Sequence, residues 1–299
     1  MRIDVYLSLL FAVAPAAVSP VAGRRLAPAY AARTLVIAGT VASAASVWAL
    51  VLLGATLLDD VPPIAAEAHS RGASVPGPVP VAIALPAVAV LVAAVWRVQR
   101  VLRTHARTRR ALRRLSAAHP TDSELVVASS GTPQAFALPG KPGRILVTSA
   151  MLAGLDARER HVLLAHERTH LRHRHDRLRL CADLSAAANP LLIPLRDTVA
   201  YLLERWADET AAENVANRTT AARAVARAAL LSHRSRAACT PLRFSHLAVT
   251  RRVAALQDAP LPPARLWVCA LLALAAAPAL GAVDATGDFF RLLGDSLHL

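Results

Sequence analysis

The chain of 299 residues carries a formal net charge of +14, and 55% of its residues are hydrophobic. Its mean hydropathy of +0.40 is above the usual level for a soluble domain, which favours an integral membrane protein. Its three cysteines show no paired spacing, so the sequence argues against a disulfide framework and against a cysteine zinc site.

Four apolar stretches come close to, or exceed, the length that crosses a hydrocarbon core of about 30 Å. They are residues 3–21, 34–58, 79–95 and 266–283. The first stretch could instead be a signal peptide. Asp4 in its charged region, the lack of a clear small-x-small cleavage site before a polar mature start, and Arg24-Arg25 after the stretch favour an uncleaved span. The sequence therefore predicts four transmembrane helices.

The charged residues predict the orientation of these helices. The segments after the first and third stretches are rich in arginine, whereas residues 59–78 and the segment after residue 283 are mainly acidic. By the positive-inside rule the arginine-rich segments are cytosolic, so both termini are expected outside a bacterial cell membrane. Residues 97–115 are expected to extend the third span into the cytosol as a helix. Their arginines would contact anionic lipid headgroups, and no direct nucleic-acid partner is expected.

The predicted domains follow from this layout. Residues 1–100 form a membrane region with three spans, and residues 101–264 form a cytosolic domain. Residues 265–283 are the fourth span, followed by a short outer tail of residues 284–299. Since so short a tail cannot bury a core, we expect no folded outer sensor. A signal would then come through the spans, the 59–78 loop or a separate sensor protein.

The cytosolic segment predicts one α+β domain. Strands are expected at three short apolar runs, residues 125–128, 135–137 and 145–148, with Gly- and Pro-containing turns between them. Asp156-x-x-Glu159 is typical of a capping box and predicts the start of a helix that ends near Arg172. Further helices are expected from about residue 176 to 190, around residue 204 and over residues 215–234.

An HExxH pattern occupies His166-Glu167-Arg168-Thr169-His170. On a helix the two histidines lie on one face, so both imidazoles can bind one metal ion. Glu167 lies beside that metal, where it can take a proton from bound water. The pattern predicts a zinc hydrolase with His166 and His170 as ligands and Glu167 as general base.

A catalytic zinc takes three protein ligands, and the sequence offers three sources for the third. Asp176 falls where a longer HExxHxxGxxH pattern has its last ligand, but that pattern needs Gly where this chain has His173. His173 or His175 could also serve, although three ligands in a row on a straight helix cannot all reach one ion. The remaining source is Glu204 of a later helix, with Asp208 one turn on to orient a ligand imidazole.

Taken together, these segments resemble the BlaR/MecR family of membrane-embedded zinc peptidases, which are relatives of the HtpX-type membrane proteases. The matching segments are residues 134–140, 144–148, 165–176, 189–192, 204–208 and 251–256. The resemblance implies an α-helical integral membrane protein of four spans with a cytosolic, zincin-like α+β peptidase domain that contains a small antiparallel sheet. It implies one Zn²⁺ held by His166, His170 and Glu204, with Glu167 as the catalytic base and Asp208 as the carboxylate that orients a ligand imidazole.

The resemblance also implies a function. The expected reaction is hydrolysis of peptide bonds in a cytosolic regulatory protein, such as a dimeric transcriptional repressor of the BlaI/MecI type. Quality control of membrane proteins, as in HtpX, is one alternative, and a non-proteolytic zinc-containing membrane scaffold is another. Residues 145–148 are expected to be the sheet edge that a substrate joins as an extra strand. His246 and Arg252 are candidates for stabilising the oxyanion. Antibiotic sensing is not expected, since no Ser-x-x-Lys motif follows the fourth span.

Overall fold

The computed structural model describes residues 13–55, 81–117, 123–236, 243–261, 266–274, 276 and 286. The helices are α1 (Ala14–Arg25), α2 (Pro28–Ala55), α3 (Val81–Ala117), α4 (Ser149–Gly154), α5 (Ala157–Arg172), α6 (His175–Ala188), α7 (Ile193–Val215), α8 (Arg218–Arg236) and α9 (Arg243–Gln257). A 3-10 turn, Pro190–Leu192, joins α6 to α7, and residues 266–274 are also helical.

Two of the described helices are long and apolar enough to cross a membrane, by length and composition: Pro28–Ala55 and Val81–Leu115. They overlap the second and third predicted spans. Helix α3 runs from this apolar segment to Ala117 without a break, which confirms the predicted helical extension over residues 97–115. Only parts of the first and fourth predicted spans lie within the described residues, in α1 and in the helix at 266–274. The 59–78 loop lies outside the described residues, as does nearly all of the tail.

Three strands form a small sheet: β1 (Leu125–Ala128), β2 (Ala135–Leu138) and β3 (Arg144–Thr148), in the order β1-β3-β2. β3 pairs in parallel with β1 and antiparallel with β2. The sheet is therefore mixed, and the expectation of an antiparallel sheet is wrong for the β1–β3 pair. The expectation that residues 145–148 form the sheet edge is also wrong, because β3 is the central strand.

The burial of β3 explains this order. Ile145 and Val147 pack with Met151 and Leu155 on one face of the sheet, while Leu146 packs with Leu138 on the other. A strand buried on both faces is stable in the middle of a sheet, where its backbone groups pair on both sides. β2 is consequently an edge strand of this sheet. On the face of Leu146, Leu112 of α3 joins the same apolar cluster and holds the end of α3 against the sheet.

Helix α5 has the boundaries that the sequence predicts. The backbone N–H of Glu159 donates to Asp156 at 2.8 Å, and that of Asp156 donates to Glu159 at 2.9 Å, so the predicted capping box is confirmed. The helix ends at Arg172. Arg174 then adopts the left-handed conformation with φ of 51°, which is uncommon for a residue other than glycine. This turn reverses the chain into α6, which runs to Ala188 as expected.

Helix α7 lies between the sheet domain and the candidate spans. On one side, small residues let it approach α5 and α8 closely, since Ala211 and Ala212 pack with Val162 and Ala165. On the other side, Leu195 and Leu202 are fully buried in a cluster with residues of α1, α2 and α6. A Cβ added to Gly39 of α2 would lie 2.9 Å from the Leu195 side chain, so only a small residue fits there without movement. Candidate span α2 is thus packed directly onto the helix that carries Glu204.

Candidate metal centre

The two histidines of the HExxH pattern meet on one face of α5. His166 Nε2 lies 3.1 Å from His170 Nε2. His166 is buried, whereas the His170 side chain retains 17% exposure. The helical spacing of four residues accounts for this approach, because side chains at i and i+4 lie one above the other.

Glu204 reaches the same point from α7. Its Oε2 lies 3.7 Å from His166 Nε2, and its Oε1 lies 3.7 Å from His170 Nε2. One ligand atom from each of the three residues lies within 4.8 Å of the others. In a tetrahedral zinc site with bonds of about 2.0–2.1 Å, ligand atoms are roughly 3.3 Å apart. The residues present therefore fit a zinc ion with two nitrogen ligands and one oxygen ligand.

Asp208 orients the first of these histidines. It lies one turn beyond Glu204 on α7, and its Oδ1 is 3.0 Å from His166 Nδ1. A ring whose Nδ1 is held by a carboxylate presents Nε2 as the ligand atom. Arg252 of α9 donates to both oxygens of Asp208, at 2.7 and 2.8 Å, and its Nη1 lies 3.0 Å from Glu204. This pairing makes Arg252 a support for the carboxylates rather than a free donor for an oxyanion.

His175 supports the second histidine, a role that the sequence analysis did not assign to it. Its Nδ1 lies 2.8 Å from His170 Nδ1, which leaves His170 Nε2 free to bind the metal. His175 is buried, and its ring centroid is 4.7 Å from that of Trp206. The signal in the sequence was a further histidine five residues after His170. The left-handed turn at Arg174 directs His175 back towards His170. This contact makes His175 a support for His170 rather than a metal ligand.

The other two sources for the third ligand lie elsewhere. Asp176 pairs with Arg109 of α3 at 3.9 Å. His173 stacks on Trp206, with ring centroids 4.5 Å apart. Within the described part of the chain, the group of His, Cys, Asp and Glu side chains that could hold a metal ion is His166, His170 and Glu204.

A comparison with known families agrees with this geometry. Residues 98–200 match the model of peptidase family M48. This M48 segment spans about a third of the chain, contains the HExxH helix and ends four residues before Glu204. It supports a metallopeptidase of family M48, whose members are zinc enzymes, and does not single out the BlaR/MecR type. The chain has no significant match among curated proteins or among solved structures.

Glu167, the predicted general base, lies within the M48 segment. It is buried, and the backbone N–H of Ala137 on β2 donates to it. Burial raises the pKa of the Glu167 carboxyl, so it holds a proton more readily than an exposed glutamate. Glu167 therefore lies against the outer edge of β2.

Burial and charge perturb the remaining groups of the site. Burial lowers the pKa of His170 to about 4 and that of His175 to about 3, which keeps both imidazoles neutral and suited to their contacts. For His166, burial lowers the pKa, but the hydrogen bond to Asp208 and the negative charges of Asp208, Glu204 and Glu167 together outweigh it, and the net shift is upward. Burial also disfavours the charged form of Asp208. The hydrogen bonds from Arg252 and His166, together with the positive charges of these two groups, outweigh that effect and hold the pKa of Asp208 far below the usual range.

A large cleft of about 1630 Å³ opens onto these residues. Its walls come from β2, the β2–β3 turn, the end of α3, α5 and the start of α6. Glu167, His170 and Glu204 all line it, so a substrate in the cleft can reach the metal group. Of the two oxyanion candidates, Arg252 is paired with the carboxylates of Asp208 and Glu204. The side chain of His246 lies outside the described part of the structure.

Proposed function

We propose that the protein is a membrane-bound zinc metalloendopeptidase that cleaves a cytosolic regulatory protein. The observation that carries this proposal is the grouping of His166, His170 and Glu204 beside the buried Glu167, at the wall of an open cleft. Because the three ligands leave a fourth position open, the site suits catalysis rather than a structural zinc, which protein ligands usually close. This argues against the alternative of a non-proteolytic scaffold.

The free edge of β2 is the proposed binding edge for the peptide. An extended substrate that pairs with β2 gains backbone hydrogen bonds without strict side-chain selection. Ala137 on this strand contacts Glu167, so the paired peptide would run past the catalytic carboxylate. The cleft volume of about 1630 Å³ exceeds that of pockets for drug-sized ligands, as a polypeptide substrate requires.

The proposed chemistry divides between the metal and the chain. When bound, Zn²⁺ would polarise the scissile carbonyl and lower the pKa of the attacking water. Glu167 accepts the proton of that water and delivers it to the leaving amine. The raised pKa of Glu167 suits this transfer, because a buried carboxylate binds the proton more firmly. Asp208 and His175 keep the two imidazoles in the tautomer and orientation that binding requires.

The proposed substrate is a dimeric transcriptional repressor of the BlaI/MecI type, as the BlaR/MecR resemblance implies. The test is to co-express a candidate repressor with the wild-type protein, Glu167→Gln or Glu124→Gln, and to follow its length by immunoblot. Glu124 is a matched control, since it lines the same cleft outside the metal group. We expect cleavage by the wild type and Glu124→Gln only. A repressor that stays intact with all three, or is cut equally by all three, would exclude this enzyme as its protease.

Turnover of membrane proteins is the second candidate function. It is favoured by the packing of α1 and α2 on α7, the helix that carries Glu204. A membrane-protein substrate could approach the cleft from the spans themselves. Comparing membrane proteomes of wild-type and Glu167→Gln strains would distinguish the two candidates, since only turnover predicts accumulation of membrane proteins in the variant.

A further inference from the structure

The walls of the cleft are rich in basic side chains. Arginine and lysine make up 34 of the 299 residues of the chain but eight of the thirty that line the cleft. The eight are Arg109, Arg113, Lys141, Arg144, Arg168, Arg172, Arg174 and Arg177. The lining is thus more than twice as basic as the chain as a whole, so the general arginine content of the sequence does not account for it.

The acidic residues of the lining do not neutralise this charge. Apart from Glu167 and Glu204, the acidic lining residues are Glu124 and Asp176. Each is already paired with an arginine of the lining, Glu124 with Arg168 at 3.1 Å and Asp176 with Arg109 at 3.9 Å. Among the described residues, five of the eight basic side chains form no ion pair: Arg113, Lys141, Arg172, Arg174 and Arg177. The same five are solvent-exposed.

These unpaired charges come from separate elements that face one space. Arg113 lies near the end of α3, which Leu112 holds against the sheet. Lys141 lies in the β2–β3 turn, and Arg172, Arg174 and Arg177 lie where α5 passes into α6. A cleft lined by one sign of charge raises the local concentration of a ligand of the opposite sign.

We propose that this cleft selects acidic segments of its peptide substrate, with Arg113, Lys141 and Arg177 among the residues that determine specificity. The proposal rests on the proposed peptidase function. A peptide with carboxylates on either side of the scissile bond would meet these cations while its backbone pairs with β2.

Anionic lipid is the other polyanion that a basic surface near the membrane could bind. The arginines near the end of α3 form two sets, one that lines the cleft and one that is exposed outside it. Arg109 and Arg113 lie four residues apart, on one face of the helix, and line the cleft. Arg107 and Arg110 are exposed on the same helix outside the cleft, where they remain available to a bilayer. A flat lipid surface contacts an exposed helix face more readily than a concave cleft. The basic residues inside the cleft therefore suit a peptide ligand better than a bilayer.

The test measures peptide binding separately from hydrolysis. Full-length Glu167→Gln protein, purified in mild detergent and loaded with zinc, is titrated with fluorescent peptides of one core sequence. The peptides carry Glu, Gln or Lys at the same flanking positions, and anisotropy reports Kd. Each exposed ion pair contributes roughly 1.4- to 5-fold, so we expect the Glu peptide to bind about tenfold more tightly than the Gln peptide at low salt. The difference should shrink at high salt because exposed charges are screened.

Charge-reversal variants test whether the preference for the Glu peptide arises in the cleft. Arg113→Glu/Arg177→Glu should remove the preference for the Glu peptide and favour the Lys peptide. Arg177 lies in the first turn of α6, where a negative residue is compatible with the helix dipole. Arg107→Glu/Arg110→Glu changes the net charge equally outside the cleft and should retain the preference. Lys141→Glu, in an exposed turn, is a second cleft variant should the double variant not fold.

The possible outcomes separate the two proposals. Equal Kd for the Glu and Gln peptides, or equal loss of preference in the cleft and control variants, would overturn the acidic specificity. If the cleft variant changed only the amount of phosphatidylglycerol that copurifies, the arginines would serve lipid instead. Hydrolysis of Glu and Gln peptides by the wild-type protein is measured in parallel. Selective binding without any hydrolysis would support the acidic specificity and contradict the peptidase function. Hydrolysis without selectivity would support the peptidase function and contradict the acidic specificity.

Discussion

Arg252 of α9 donates from Nε and Nη2 to the two carboxylate oxygens of Asp208 of α7, at 2.7 and 2.8 Å. Both side chains are largely buried, with 15% and 2% exposure. Asp208 in turn contacts His166, and Arg252 also contacts Glu204. One cation therefore holds in place both Glu204, a candidate metal ligand, and the carboxylate that contacts the candidate ligand His166.

Removing this cation should destabilise the fold and the site together. Arg252→Leu leaves Asp208 as a buried carboxylate without its cation, a change that typically costs about 3 kcal/mol or more. We expect a lower midpoint of thermal unfolding in detergent and a lower zinc content. Arg251→Leu is the matched control, since Arg251 is exposed on the same helix. Equal midpoints and zinc contents for the two variants would show that the Arg252–Asp208 pair does not support the site.

The zinc content of single variants tests the ligand set. His166→Ala, His170→Ala and Glu204→Ala should each lose the metal, because each removes one of three protein ligands. Glu167→Gln should retain about one zinc per chain and lose peptidase activity. His173→Ala and Asp176→Ala are controls that should retain zinc, since both residues lie outside the metal group. Elemental analysis of purified protein measures the outcome, and full zinc in Glu204→Ala with loss in Asp176→Ala would contradict the assignment.

His175 should control zinc affinity without being a ligand. His175→Phe fills a similar volume but removes the contact with His170 Nδ1, and loss of such a support typically weakens metal binding by about 10- to 100-fold. His175→Gln, which can still accept a hydrogen bond, should restore part of the affinity. Competition with a chelator gives the zinc Kd. His173→Phe is the control, because His173 stacks on Trp206 outside the metal group. An unchanged zinc Kd in His175→Phe would remove His175 from the site.

The proposed topology can be tested with reporter fusions. A reporter that is active only in the cytosol should work when fused after residue 120 or 240, on either side of the HExxH helix. It should fail after residue 70, because the loop of residues 59–78 is predicted to lie outside by the positive-inside rule. If this reporter worked only when fused after residue 70, the proposed orientation would be inverted and the peptidase domain would lie outside.

The features that the sequence predicted correctly are those that depend on neighbouring residues. The capping box of Asp156 and Glu159 forms within one helical turn, and the end of α5 at Arg172 likewise follows from local sequence. The approach of His166 to His170 needs only the helical repeat. Hydrophobic length likewise predicted α2 and the long α3, since a continuous apolar helix needs no tertiary partner to be recognised.

The features that only the tertiary structure decided depend on packing between distant segments. Spacing along the chain left Asp176, His173, His175 and Glu204 open as the third ligand, because it does not tell which element packs on α5. Only the family resemblance favoured Glu204. The close packing of α7 on α5 brings Glu204 to the two histidines, and the turn at Arg174 makes His175 a support for His170. The strand order was likewise set by burial of β3 on both faces, which moved the free edge to β2. Local patterns thus determined the helices and the first two candidate ligands, whereas long-range apolar packing determined the position of the third candidate, its supporting contacts and the sheet edge beside the cleft.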